Sequence, residues 1–259
     1  MRVRLEVRDA VARITLDRPD QGNAIDVEMK DGLAEAATRL RDDPAVRAVL
    51  LVAAGKAFCV GGDISEMRAA GADLPAWIGE MAGALGETIR ALAGLPVPVV
   101  SAVQGPVAGG GIGLALCADL VLAGESMRLR GGYTGIGLTP DLGASWFVAR
   151  RAGEARAKEV FFLNRTLSAS ECLAWGIVDA VHPDAALSAE ADALARRLAS
   201  GATAALGRAK VLLDGAARRS LEEHLALETE SMVASARTGD AREGIAAFLE
   251  KRGARFTGR

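Results

Sequence analysis

Two near-continuous apolar runs, residues 46–53 (VRAVLLVA) and 97–103 (VPVVSAV), constrain this chain most. A strand that is apolar at successive positions has no solvent face, so it must be covered on both sides, as strands of parallel sheets are. The first run is bounded by Asp43-Pro44 and Gly55; the second is entered through Pro96 and Pro98 and broken by Gly105. Residues 27–41 read as an amphipathic helix with Val27, Leu33, Ala34, Ala37 and Leu40 on one face, and 75–93 read as a second helix. Strand, helix, strand is the start of an α/β unit. Ahead of it, residues 2–8 and 11–16 alternate as two short strands around Arg8-Asp9-Ala10, a predicted hairpin.

Further along, 105–118 reads as a glycine turn running into a helix, 119–123 as a strand, 141–152 and 153–163 as two short helices, and 177–181 as a last strand. From 185 onward the composition shifts to alanine-rich, charge-dotted helix. The expected organisation of the 259 residues is an α/β domain over 1–200 and a helical oligomerisation domain over 201–259. In the latter, Asp240-Ala-Arg-Glu243 reads as a capping box opening a helix with Ile245, Phe248 and Leu249 on one face. That apolar stripe implies a neighbouring subunit.

Composition removes whole classes of function. A net charge of −2 leaves no footprint for a polyanion, so nucleic acid is not an expected partner. The N-terminus alternates charge with apolar residues, unlike a signal peptide, and no run reaches membrane-spanning length; a cytoplasmic protein with no membrane partner is expected. Only two histidines occur, His182 and His224, with no HExxH and no CxxC, so no metal site is expected. There is no G-x-G-x-x-G, and Gly55-Lys56 is followed by Ala57, which argues against dinucleotide and Walker-type sites. Cys59, Cys117 and Cys172 are spaced among apolar neighbours and read as reduced core thiols.

Two glycine segments carry candidate chemistry. In AFCVGGD (57–63) a buried strand has just ended and paired glycines let the backbone approach a ligand; in GPVAGGGIG (105–113) a glycine turn feeds a helix N-terminus with unpaired N–H groups. Either alone also reads as a plain turn. If the N–H groups of Gly62 and Gly110 converge, they form an oxyanion hole able to hold a developing enolate.

Arg18-Pro19 with Gly22, Asn23 and Ala24, then AFCVGGDI, then VPVVSAVQGPVAGGGIGLALCADL, then AFLEKR, in this order and over essentially the whole chain, resemble the crotonase (enoyl-CoA hydratase/isomerase) superfamily. The resemblance implies an α/β spiral of ββα units with a C-terminal helical trimerisation domain, hence a homotrimer or hexamer. It also implies an acyl-CoA substrate, with no cofactor beyond the coenzyme A thioester itself, whose carbonyl lies between the N–H groups of Gly62 and Gly110. The loop from Val60 through Asp63 to Ile64 would line the adenine end, and Phe248 and Lys251 would contact CoA from the adjacent subunit.

The chain departs from the superfamily's hydratases at both of their glutamates, where it carries Gly113 and Tyr133. Neither is a ready base at neutral pH. Eight residues past Tyr133, Asp141 lies in a P-D-x-G segment similar to that of the superfamily's aspartate-using isomerases, the 1,2-epoxyphenylacetyl-CoA isomerases among them. One carboxylate suffices for a 1,3 proton shift. Asp141 also reads as an N-cap or first-turn carboxylate of the helix near Gly143. Tyr133 either bonds substrate or packs, with packing favoured. Asp63 and Asp119 match family positions but read as structural carboxylates. Trp146 and Phe147 read as the inner face of a short helix, with Trp77, Met81 and Trp146 setting pocket width. No histidine falls in 64–96, which disfavours dehalogenation. The resulting expectation is an acyl-CoA isomerase with Asp141 as proton shuttle. Hydratase or lyase activity and non-catalytic acyl-CoA binding are the alternatives.

Overall fold

In the computed structural model, which describes residues 2–259, β1 (Val3–Arg8) and β2 (Val11–Leu16) form the expected antiparallel hairpin. Asp9 and Ala10 turn it with φ of 51° and 62°, the left-handed geometry that two-residue hairpins favour. Helix α1 (Val27–Arg41) starts at Asp26, whose carboxylate accepts from the Met29 N–H at 2.8 Å. It buries Met29, Leu33, Ala37 and Leu40, whereas Val27 is 39% exposed. Val27 lies about 200° around the helix from Met29, off the buried stripe.

Strand β3 (Ala48–Ala53) runs parallel to β2 with Val11 opposite Ala48. Helices α2 (Ile64–Ala70) and α3 (Leu74–Ala93) then lead to β4 (Val99–Val103), parallel to β3 and fully buried. The stretch 105–118, expected as turn plus helix, is divided: β5 (Pro106–Ala108) precedes α4 (Gly110–Leu116). After these come β6 (Leu120–Gly124), β7 (Arg128–Arg130), α5 (Ala144–Ala152), α6 (Glu154–Leu163), β8 (Thr166–Ser168), α7 (Ala169–Ala174), β9 (Ala180–His182) and α8 (Asp184–Ala199). The main sheet has the order β1-β2-β3-β4-β6-β9, parallel after its first pair, and β5-β7-β8 form a second small sheet. Helices cover both faces of the main sheet: Leu187, Ala191 and Ala195 of α8 join Leu50 and Val100 in one cluster, while α1, α3 and α4 contribute to the larger core on the other side. This is the α/β class expected of strands that are apolar on both faces.

Helix α5 begins at Ala144, not 141, because Leu142 and Gly143 adopt φ of 49° and 75° and cannot belong to a right-handed helix. The last strand is displaced to 180–182, after the fully buried Ile177 and Val178.

The tail comprises α9 (Thr203–Gly215), α10 (Leu221–Ala236) and α11 (Gly239–Leu249). Arg47, the one charge within the first apolar run, ties it to the body by donating to Gly201 O at 2.6 Å, Thr203 Oγ1 at 3.0 Å and Phe256 O at 3.2 Å. The capping box expected at Asp240–Glu243 is not formed. Thr238 caps α11 through the Ala241 N–H, and the buried Asp240 carboxylate accepts from the Thr257 and Gly258 N–H groups at 2.6 and 2.8 Å. Ser220 and Glu223 make the capping box instead, at the start of α10. Leu221, Met232 and Phe248 are exposed along these helices. Among the described residues, no helix is long and apolar enough to cross a membrane.

Candidate active site

The strand that ends at Ala53 delivers the chain to Cys59, which bridges Val107 of β5. This brings the two glycine segments side by side. Gly61 takes φ +96°, and a Cβ there would lie 3.0 Å from Ala108 O and 3.3 Å from Gly110 N, so only glycine allows the approach. Gly62 bridges Ile25: Ile25 N–H donates to Gly61 O at 2.8 Å and Asp63 N–H to Ile25 O at 3.0 Å. In such a parallel bridge the N–H of the central residue, Gly62, faces away from the partner strand. Gly110 is the first residue of α4, so its N–H has no acceptor within the helix.

Both glycines line a cavity of about 390 Å³. Met81 and Trp77 of α3 form one wall, Val60 and Ile64 another, and Tyr133, Asp141 and Leu142 a third. Among the described residues, Asp141 is the only carboxylate lining it. A Cβ at Gly110 would lie 3.8 Å from Asp141 Oδ1, which places the acid beside the main chain of α4. The carboxylate does not cap α5: Asp141 contributes only its main-chain carbonyl, to Ala144 N–H at 2.9 Å. Its side chain instead accepts from Tyr133 Oη at 2.7 Å.

Burial pushes the Asp141 carboxyl above the ordinary carboxylate range, although the Tyr133 hydrogen bond pulls it partly back. Burial and the adjacent Asp141 charge push the Tyr133 phenol far up, so it stays a donor. Tyr133 is the only tyrosine in the chain and is 8% exposed. Packing alone was the favoured expectation for it; the structure gives it a hydrogen-bonding role as well. The general signal was available, since a buried phenol needs a partner.

Gly113 faces the same turn. A Cβ at this position would lie 2.1 Å from the Leu142 carbonyl oxygen and 3.0 Å from Leu142 Cβ. The space a side chain would need is already filled by the backbone that carries Asp141.

Other expectations are placed differently. Asp63 is turned away from the cavity: Arg18 approaches its Oδ2 at 2.6 Å, and its Oδ1 caps α2 through Ser65 N–H at 2.7 Å. Burial of Asp63 acts upward, but Arg18 and these N–H groups outweigh it and hold the carboxyl below its usual value. Asp119 is likewise structural, accepting from Val99 N–H at 2.7 Å and Lys210 Nζ at 2.9 Å. Trp146 is half exposed, stacks edge-on to Phe147 and carries Arg150 over its ring. It lines a second cavity rather than the first. Phe248 and Lys251 are exposed and do not line the first cavity of their own chain. His182 and His224 line neither cavity. The three cysteines are free and buried, their thiols pushed up to about 12 by burial. Met67 of α2 and Leu142, which sequence reasoning missed, also line the first cavity.

Residues 6–259 match the family described as enoyl-CoA hydratase/isomerase. The 1,2-epoxyphenylacetyl-CoA isomerase of Escherichia coli is 37% identical over 257 residues, covering 98% of this chain and 97% of that protein. The crotonyl-CoA hydratase of Syntrophomonas wolfei is 30% identical, covering 97% and 96%. The crystal structure of an enoyl-CoA hydratase from Polaromonas sp. JS666 superposes with a TM-score of 0.93 at 30% identity, covering 98% of this chain and 99% of that one.

Proposed function

The chain belongs to the enoyl-CoA hydratase/isomerase (crotonase) family, and within it we propose that this member is an isomerase that moves a double bond or rearranges a CoA thioester through an enolate. The observation that carries this reading is the single carboxylate of the cavity, Asp141, set against a filled space at Gly113. Hydration in the two-glutamate manner requires a second carboxylate, and the place for it is taken by the Leu142 main chain.

In this reading the thioester oxygen lies between the N–H groups of Gly62 and Gly110. Asp141, ionised, takes a proton from Cα; the C–H electron pair enters the dienolate, whose charge the two N–H groups hold. The same carboxyl returns the proton at Cγ, and the double bond has moved with no water consumed. A base of raised pKa retains enough proton affinity to do this near neutral pH. Tyr133 keeps Asp141 oriented. Val60 and Ile64 lie toward the adenine end. Phe248 and Lys251 reach the CoA of an adjacent subunit in a homotrimer or hexamer, which also covers the exposed apolar side chains of α10 and α11.

Proton NMR in heavy water over a panel of straight, branched and aromatic enoyl-CoAs tests the proposal. The expected result is double-bond migration with deuterium entering Cγ, and Cα on reversal, and, by mass spectrometry, no oxygen-18 taken from labelled water. Label in the product would instead establish hydration, for which relatives such as the Syntrophomonas wolfei enzyme are named. Tight binding with no exchange would mark a non-catalytic acyl-CoA binder.

A further inference from the structure

Leu142 lines the first cavity. A second cavity of about 960 Å³ lies directly beyond it, and Leu142 is the one residue that lines both. Helix α3 runs along the two in succession: Met81, Ala82 and Leu85 face the first, and the next residue, Gly86, begins the lining of the second, followed by Ile89 and Ala93. No atom lies within 4 Å of where a Cβ on Gly86 would sit, so the helix surface opens at the step between the cavities. Opposite α3, Leu116, Trp146 and Phe147 give the second cavity an apolar wall suited to hydrocarbon, while charged side chains, among them Arg90, Asp119, Arg150 and Lys210, also line it. Leu142 itself is 6% exposed and sits at φ 49°, a conformation rare for a side chain of its size. This backbone turn places Leu142 where the two cavities meet.

We infer that Leu142 is the partition that sets acyl-chain length, and that the cavity behind it takes the distal methylenes of long acyl groups once the partition is removed. This rests on the reading that the acyl group occupies the first cavity. The polar reacting atoms stay beside Gly110 and Asp141, and the chain extends along α3 past Leu85. Leu142 is a specificity-determining residue here, not a catalytic one.

The test is the ratio of kcat/KM for hexadecenoyl-CoA over butenoyl-CoA, measured on the wild type, Leu142→Gly and the double variant Leu142→Gly/Ala93→Phe. Glycine accepts the positive φ; Leu142→Ala is read in parallel so that the outcome does not depend on one variant folding. The ratio is expected to rise by about tenfold or more when the partition is removed, the scale on which apolar pockets discriminate methylenes. The Ala93→Phe change, which obstructs only part of the second cavity, is expected to reduce the gain. An unchanged ratio in the folded single variants overturns the proposal, as does a gain that Ala93→Phe leaves undiminished. Absence of exchange or turnover by the wild type with every acyl-CoA is a different failure, that of the isomerase reading itself.

Discussion

The phenol of Tyr133 donates to Oδ1 of Asp141 at 2.7 Å, and among the described residues the pair supplies the ionisable groups that line the first cavity. The two residues act on each other in opposite directions. Asp141 raises the phenol further than burial alone, whereas the phenol lowers the carboxyl that burial has raised.

Tyr133→Phe removes the contact that favours the ionised carboxylate, so the Asp141 pKa rises further. The acid limb of the kcat/KM profile, where the base becomes protonated, is expected to move to higher pH. Alkaline activity should be largely kept. A pH profile on one enoyl-CoA checks this; an acid limb that stays in place would separate Tyr133 from the base.

Asp141→Asn separates chemistry from stability. Loss of the proton shuttle should lower kcat by about 10²–10⁴-fold, the usual weight of a positioned acid–base group. Stability should move the other way. A carboxyl whose folded pKa is raised is penalised when ionised: the penalty is absent at low pH, sets in above the unfolded pKa and is complete above the folded one. Asparagine removes it, and its amide oxygen still accepts from Tyr133. Melting at pH 7 is expected to be at least as high as wild type, with the difference shrinking toward acid pH.

Gly113→Ala tests the packing of the same turn. The added Cβ meets the Leu142 carbonyl at 2.1 Å, and backbone cannot swing aside as a side chain can. A loss of about 1–3 kcal/mol is expected from denaturant titration, with kcat reduced because the displaced segment carries Asp141. Gly113→Glu should likewise gain no oxygen-18 incorporation from water.

How far the sequence foretold this follows from the length scale of each feature. The strands β3 and β4 were legible because burial on both faces imposes an apolar run long enough to notice. The three-residue strands β5, β7 and β8 were not, because three residues carry no period and their pairing joins distant segments. In the site, Asp141 and the two glycine segments were readable from residue type. The Tyr133–Asp141 hydrogen bond and the occupation of the Gly113 space were not, since both depend on the positive φ at Leu142, and leucine gives no local signal for that conformation. Asp240 misled for a related reason: its spacing to Glu243 fits a capping box, but its real partners, Thr257 and Gly258, lie in the irregular C-terminal segment.

Arg18 supports the oxyanion side of the cavity from behind. Its guanidinium holds Asp63 at 2.6 Å and Asp26 at 3.3 Å, and it donates to Ala24 O at 3.0 Å. Asp63 follows Gly62 directly, so this ion pair fixes the chain at one of the two proposed oxyanion donors. Arg18→Ala leaves the buried Asp63 without its cation and Asp26 with Arg2 alone, and breaking a buried pair costs about 3–5 kcal/mol. The sign of its pH dependence follows from the depressed pKa of Asp63: the stabilisation is present above the unfolded carboxylate pKa and is lost as pH falls through the folded value. The variant should therefore differ most from wild type at neutral pH and converge with it in acid. Because Gly62 is loosened while Asp141 is untouched, kcat/KM should fall without any shift of the acid limb, and an acid limb that moves would place Arg18 in the electrostatics of the base instead.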